Sequence, residues 1–239
     1  MKKLFNIALL FFLVTSCSKD DDSITKPQAP VIPADKKYIS RIDRWENNII
    51  FDYDANKKVH YIYFGVDNAY TVIYQGDRIS QIFLNSNVYD SYEYKFGYND
   101  AGQLTGYFIY TLDTHEMVYF QALVHDAATN SYNGWLYLYD DGSIKRTVID
   151  NLDRTLVYDT SKRGAFANID QKLIMYLMFI NRRVVLWPAY IGKYPCKEIV
   201  DGSGVLEMEN TYDAQGFITN SHMDSTLNNL NSVYTYIEL

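Results

Sequence analysis

The sequence predicts a mainly β protein: a strongly curved antiparallel meander sheet, an open or half barrel, wrapping one buried α-helix near residues 168–181. Three observations predict it. The chain holds 23 Tyr among 239 residues and is 16% aromatic, and a tyrosine ring fits a pleated, half-buried strand surface. From Tyr38 onward, short runs alternate aromatic or aliphatic residues with polar ones, separated by turn residues at intervals. One segment is apolar without alternation, and such a segment has to be enclosed.

In chain order, residues 1–16 read as a signal peptide. Lys2 and Lys3 precede an apolar run from Leu4 to Val14, broken only by Asn6. The run is too short for a bilayer span, which needs about 20 apolar residues. Leu13-Val14-Thr15-Ser16-Cys17 follows. It resembles a bacterial lipobox, in which the mature chain begins at the cysteine and carries lipid on its sulfur and amine. Ser18-Lys19-Asp20-Asp21-Asp22 resembles the Lys-plus-acidic export signal of lipoproteins in Bacteroides-type bacteria. That resemblance implies display on the outer face of the outer membrane. Residues 17–36 form a lipidated tether. Pro27, Pro30 and Pro33 are three of the chain's five prolines, and no periodicity runs through the segment, so it is expected to be extended. The membrane is the first expected partner, reached through a lipid anchor on Cys17. Residues 37–239 are expected to form a single β-rich domain.

Within that domain, Tyr92-Glu93-Tyr94-Lys95-Phe96-Gly97-Tyr98 alternates with period two, the mark of a strand with one packed face. Leu104, Phe108, Tyr110 and Leu112 are expected to share a face of the next strand, and Trp135, Tyr137 and Tyr139 a face of a later one. Ser232 to Leu239 alternates Val233, Thr235 and Ile237 with Tyr234, Tyr236 and Glu238. The punctuation is Asp54-Ala55-Asn56, Gln75-Gly76-Asp77, Asn99-Asp100-Ala101-Gly102, Asp140-Asp141-Gly142, Asp201-Gly202-Ser203-Gly204 and Asp213-Ala214-Gln215-Gly216. Such turns make neighbouring strands antiparallel.

The exception is Leu173 to Ile180, which reads Leu-Ile-Met-Tyr-Leu-Met-Phe-Ile. Leu and Met favour helix. Asn168 with Gln171 three residues on has capping-box spacing, Asp170 lies near the start, and Arg182 and Arg183 follow, as the helix dipole prefers. Eight successive apolar residues cover every face of a helix, so the helix must be buried. A buried strand is the structural alternative.

Several turns share a longer unit. Tyr98-Asn99-Asp100-Ala101-Gly102-Gln103-Leu104 aligns with Tyr212-Asp213-Ala214-Gln215-Gly216-Phe217-Ile218. Tyr139 to Ile144, Tyr53 to Val59 and Tyr74 to Ile79 are shorter or looser versions. The unit is an aromatic, a turn with Asp and usually Gly, then an apolar residue that opens the return strand. It resembles the YD-repeat, or RHS-like, pattern. More narrowly, Tyr38 to Leu239 is similar to a family of Bacteroides-type surface lipoproteins with a curved, porin-like antiparallel sheet. Two departures from the RHS pattern stand out: the units are irregularly spaced, and no toxin-like C-terminal region follows. The resemblance implies no activity, so no functional residue carries over.

The composition excludes several functions. Formal charge is −7, and cleavage before Cys17 removes two lysines and no acid, so nucleic acid is not an expected partner. Cys17 and Cys196 are the only cysteines. No disulfide framework is possible, and Cys196 reads as a buried structural thiol. His60, His115, His125 and His222 have no ligand spacing, so neither metal nor cofactor is expected. No nucleophile elbow or phosphate loop appears. Asp54, Asp100, Asp140 and Asp213 fall in turns, where turn chemistry accounts for them. Trp45, Trp135 and Trp187 are the candidate ligand-binding residues, because indole rings stack on sugars and anchor protein partners. The expectation is a non-enzymatic surface module that binds or scaffolds extracellular glycan or an outer-membrane protein. A carrier of an apolar ligand in a half-barrel is the alternative, and a polysaccharide-acting hydrolase with paired carboxylates is a second.

Overall fold

The computed structural model describes residues 37–44, 48–88, 90–149, 151–180, 187–223 and 230–239, all within a compact unit spanning Pro33–Leu239. The protein is mainly β, with two large antiparallel sheets. The chain first lays down β1 (Lys37–Arg44), β2 (Asn48–Tyr53), β3 (Val59–Phe64), β4 (Asn68–Gln75), β5 (Arg78–Ser86), β6 (Tyr92–Tyr98), β7 (Leu104–Thr111) and β8 (Met117–Ala122). Each pairs with the next. It then crosses to a second sheet through β9 (His125–Asp126), β10 (Ser131–Tyr132), β11 (Leu136–Leu138), β12 (Ile144–Ile149) and β13 (Leu152–Tyr158). Helix α1 (Lys172–Ile180) and the one-turn α2 (Trp187–Tyr190) intervene before β14 (Cys196–Asp201) and β15 (Gly204–Glu207) complete that sheet. The last strands, β16 (Glu209–Tyr212), β17 (Ile218–Met223) and β18 (Leu230–Glu238), return to the first. β18 pairs antiparallel with β1, so among the described residues the larger sheet has eleven strands and the smaller seven.

The repeated unit has a structural counterpart. In six strand pairs, five of them those of the repeated unit and the sixth that of Tyr158, the register shifts beside a tyrosine, at Asp52/Tyr53, Ile73/Tyr74, Gly97/Tyr98, Tyr137/Leu138, Val157/Tyr158 and Thr211/Tyr212. The extra residue lies on the return strand and is polar each time: His60, Ser80, Thr105, Lys145, Lys197 and Thr219. Each follows a buried residue, namely Val59, Ile79, Leu104, Ile144, Cys196 and Ile218. The inserted residue resets the alternation, so the residue that opens the return strand is buried without breaking the hairpin. This corrects one expected face. Leu104 does not share a face with Phe108 and Tyr110, because the bulge at Thr105 lies between them, and Leu112 falls beyond the end of β7. On β11, buried Leu136 separates half-buried Trp135 and Tyr137.

The turns repeat as closely. Asp54, Asn99 and Asp213 each donate their amide to the carbonyl four residues on, while their side-chain Oδ1 accepts that same residue's amide at 2.9 Å. The fourth residue of each turn has positive φ: Lys57 at 64°, Gly102 at 81° and Gly216 at 83°. Successive units then hold one another. Tyr98 Oη donates to Ile79 O at 2.6 Å, Tyr158 Oη to Ile144 O at 2.8 Å and Tyr53 Oη to Ile39 O at 2.6 Å. Lys58 lies over the Tyr74 ring and Arg78 over the Tyr98 ring, at 5.1 and 5.5 Å.

Helix α1 is present but starts later than expected. Its carbonyl cap is Gln171, at φ 61°, which accepts from Ile174 and Met175. The expected capping box does not form: Asn168 instead donates to Lys37 O of β1 at 2.8 Å, and Gln171 Nε2 to Asp77 O at 3.3 Å. Arg182 and Arg183 lie outside the described residues. Ile174, Met175, Tyr176 and Leu177 are each at most 2% exposed. Four successive buried positions sweep most of the helix circumference, so α1 is packed on nearly every side. Burial pulls the Lys172 ammonium at its start below the usual lysine range, opposed by Asp141 and Asp170.

The sheets are tied where the chain passes between them. After β8, Leu123 N bonds Thr105 O in β7 at 2.8 Å, and Val124 N bonds Asn133 Oδ1 at 2.7 Å, just past β10. His125 bridges Gln103 Nε2 at 3.0 Å and Asn130 Oδ1 at 3.1 Å. Between β15 and β16, Met208 N bonds Lys197 O and Asn210 Nδ2 bonds Cys196 O, both at 2.8 Å. One apolar cluster contains residues of both sheets and of α1.

Candidate functional site

Of the three expected tryptophans, the structure describes the side chain of Trp135 alone. Trp135 is half-buried and packs against the core. Trp45 lies outside the described residues, as does Cys17. Trp187 opens α2, but its side chain also lies outside them. The carboxylates mostly serve structure. Asp54 and Asp213 accept the amides of their own turns. In the later turn it is Asp141, not Asp140, that accepts from Ser143 N at 2.8 Å. No cluster of three His, Cys, Asp or Glu able to hold a metal occurs among the described residues.

A small cavity of about 10 Å³ is lined by Ala165, Tyr190, Tyr194, Cys196, Ser221 and Tyr234 among others. It has room for about one water and none for an acyl chain. Cys196 is a free, buried thiol. Burial pushes it up to about 12, so it stays protonated and inert at neutral pH.

The feature that departs most from a packed, satisfied fold is the β7–β8 edge. Met117, Val118, Tyr119 and Phe120 are 57, 51, 43 and 49% exposed, and Val124 just beyond is 70% exposed. Successive strand residues point to opposite faces, so β8 is open on both. Among the described residues it borders only β7 in the sheet order. On one face Phe120 stacks on Phe108, with centroids 4.5 Å apart and planes at 24°, and Phe108 neighbours Tyr110 at 6.3 Å. Lys95 lies 4.9 Å over the Tyr110 ring and pairs with buried Glu93 at 3.2 Å. On the other face Tyr119 rests beside Tyr107 at 5.9 Å, and its hydroxyl donates to Gln121 Oε1 at 2.8 Å. Burial raises the Tyr107 hydroxyl above the usual tyrosine range, helped by Tyr119. Gly106 lets the strands approach: a Cβ there would meet Gln121 O at 2.6 Å.

Sequence reasoning passed over this edge. Its signal was available: Met117-Val118-Tyr119-Phe120 is apolar without alternation, as α1 is, but short enough to read as an ordinary buried strand.

No protein-family model matches the chain, and no curated protein is similar to it in sequence. Two crystal structures resemble it in fold at low identity. A porin-like protein from Bacteroides uniformis is 13% identical, with a TM-score of 0.48 over 83% of this chain and 98% of the other. A porin-like protein from Bacteroides vulgatus is 9% identical, with a TM-score of 0.41 over 85% of this chain and all of the other.

Proposed function

We propose that the chain is an outer-membrane surface lipoprotein, anchored through Cys17, that acts as a non-enzymatic binding or scaffolding module for an extracellular protein at the β7–β8 edge. The exposure of Met117 to Phe120 on both faces of one strand carries this reading. Met, Tyr and Phe are enriched at protein interfaces, and an apolar patch of this kind on a stable domain marks a contact surface. A glycan is the weaker fit, because sugars stack on open ring faces while Phe108 and Phe120 turn theirs toward each other.

The same reading takes the two sheets as one strongly curved wall around α1. Support comes from the hydrogen bonds that cross both passages between sheets, from the burial of α1 at four successive positions, and from six like-placed bulges, which bend and twist a sheet. The repeated Tyr-turn unit is then the YD-type device that sets this curvature. With α1 filling the interior, little room remains for an apolar cargo. The buried face is also apolar, whereas a porin lumen is polar.

Two measurements test the reading. Outer-membrane extract passed over the immobilised chain should leave a bound protein that Phe120→Asp releases. Binding confined to a glycan array and unchanged by Phe120→Asp would overturn the assignment. In cell fractionation, Cys17→Ser should move the protein to the soluble fraction with its fold intact. A variant still pelleting with membranes after a high-salt wash would overturn the anchor.

A further inference from the structure

We propose that the partner at this edge is a second copy of the chain, with β8 paired antiparallel to β8 about a two-fold axis through Phe120. The inference rests on the protein-binding reading above and names its partner.

The backbone geometry favours a copy over a foreign strand. Leu123 N donates to Thr105 O, which places the bonded pairs of β7 and β8 at every second residue from there. Gln121 and Tyr119 therefore face β7, opposite Tyr107 and Ile109. Phe120, opposite Phe108, turns its N–H and C=O to the open side. The opening is short at both ends. Ala122 O already accepts from Asn133 Nδ2 at 2.7 Å and Gln121 Nε2 at 2.9 Å. Val118 is the extra residue of a bulge, skipped between the pairs of Ile109 and Tyr110. An extended peptide finds no continuous ladder there. An isologous pair needs only its central residue, because each Phe120 donates to and accepts from Phe120 of the second copy.

Charge and side chains agree. Met117 to Ala122 carries no charged residue, although exposed edges are ordinarily blunted by charge or proline. In a chain of net charge −7, an uncharged strip is where two copies meet with least repulsion. In this register Tyr119 lies opposite Gln121 of the second copy, Val118 opposite Ala122, and the Phe108–Phe120 stack continues across the axis as a row of four rings. Four or five partly exposed side chains per copy fall short of the ~800 Å² per partner of a standard interface. The pair is therefore weak in solution and strengthened when anchors hold both copies on one membrane, which raises their effective concentration.

Disulfide trapping tests it. In the full chain carrying Cys17→Ser, buried Cys196 is the sole remaining native thiol. Phe120→Cys should then oxidise to a covalent dimer at least about tenfold faster than Val233→Cys, a comparably exposed position on β18, as raised effective concentration requires. Equal rates would overturn the proposal. In sedimentation, the concentration-dependent association of the Cys17→Ser chain should be lost with Phe120→Glu, which sets two carboxylates face to face. Association unchanged by that substitution would also overturn it. A monomeric chain that still captures an outer-membrane protein through Phe120 defeats the second copy and leaves the protein-binding reading standing. A monomer that captures nothing defeats both.

Discussion

Two apolar segments of similar character meet opposite fates. Ile174 to Leu177 in α1 are at most 2% exposed, while Met117 to Phe120 in β8 are all more than 40% exposed. Neither alternates, and neither carries a charge. The difference lies in what surrounds them. α1 shares one apolar cluster with residues of both sheets, so its described apolar side chains find partners. β8 is the last strand laid down before the chain leaves the larger sheet, and among the described residues only β7 flanks it. An apolar run therefore reports that surface must be covered, and topology decides whether the chain covers it. What α1 contributes to stability, at roughly 1.5–3 kcal/mol per fully buried large side chain, β8 keeps available for association.

The largest expected effect comes from placing the same charge in each segment. Met175→Asp puts a carboxylate at a fully buried position. Such a change costs more than about 4 kcal/mol and should leave the chain unfolded by circular dichroism. Val118→Asp, half exposed on an edge, should shift the urea midpoint by no more than about 0.5 kcal/mol of stability. Equal losses at the two positions would break the comparison, because β8 would then be a core element.

A second contrast separates buried hydroxyls from open surface. The tyrosines of the turn units are raised chiefly by burial. Tyr98 is pushed up to about 12, Tyr53 and Tyr74 lie higher still, and Tyr158 is raised well above its ordinary value. Because the folded state holds these protons more tightly than the unfolded chain, their contribution is complete below pH 10. It is lost as pH rises from 10 toward and beyond 12. An alkaline titration should show phenolate absorbance and loss of near-ultraviolet circular dichroism rising together above pH 10. Full ionisation of the tyrosines while the dichroism stays native would refute the hydroxyl bonds. Tyr98→Phe, which removes the 2.6 Å bond to Ile79 O, should cost about 1 kcal/mol in urea unfolding.

Much of this architecture was legible before the structure. Antiparallel strands, the six turns and the enclosed apolar helix follow from alternation, turn residues and the apolar run. The faces were less legible. Period-two counting groups Leu104 with Phe108 and Tyr110 because it assumes an unbroken ladder, and the bulge at Thr105 breaks it. The cue was present in hindsight, since all six bulge positions hold a polar residue directly after the one that opens the return strand. Capping spacing places the helix start at Asn168, whose side chain β1 engages instead, a tertiary contact no local pattern encodes. The candidate edge was invisible for the reason given by α1 and β8 together: exposure depends on neighbours far away in the chain.

The smallest expected effect isolates backbone conformation in the turns. Gly216 sits at φ 83°, and a Cβ there would meet only Lys162 Cδ, at the ordinary distance of 3.9 Å. Gly202 has open space around it and no left-handed φ. Gly216→Ala should therefore cost about 1 kcal/mol, the left-handed penalty of an L-residue, while Gly202→Ala should be neutral within a few tenths. Lys57, which occupies the equivalent turn position at φ 64°, supplies the reciprocal case. Lys57→Gly should recover part of the same penalty, offset by the greater freedom of glycine in the unfolded chain. Urea denaturation of the three variants checks the set. A loss at Gly202 as large as at Gly216 would mean that the left-handed φ is not what limits these turns, and the three matching hydrogen-bond patterns would then lack a common backbone cause.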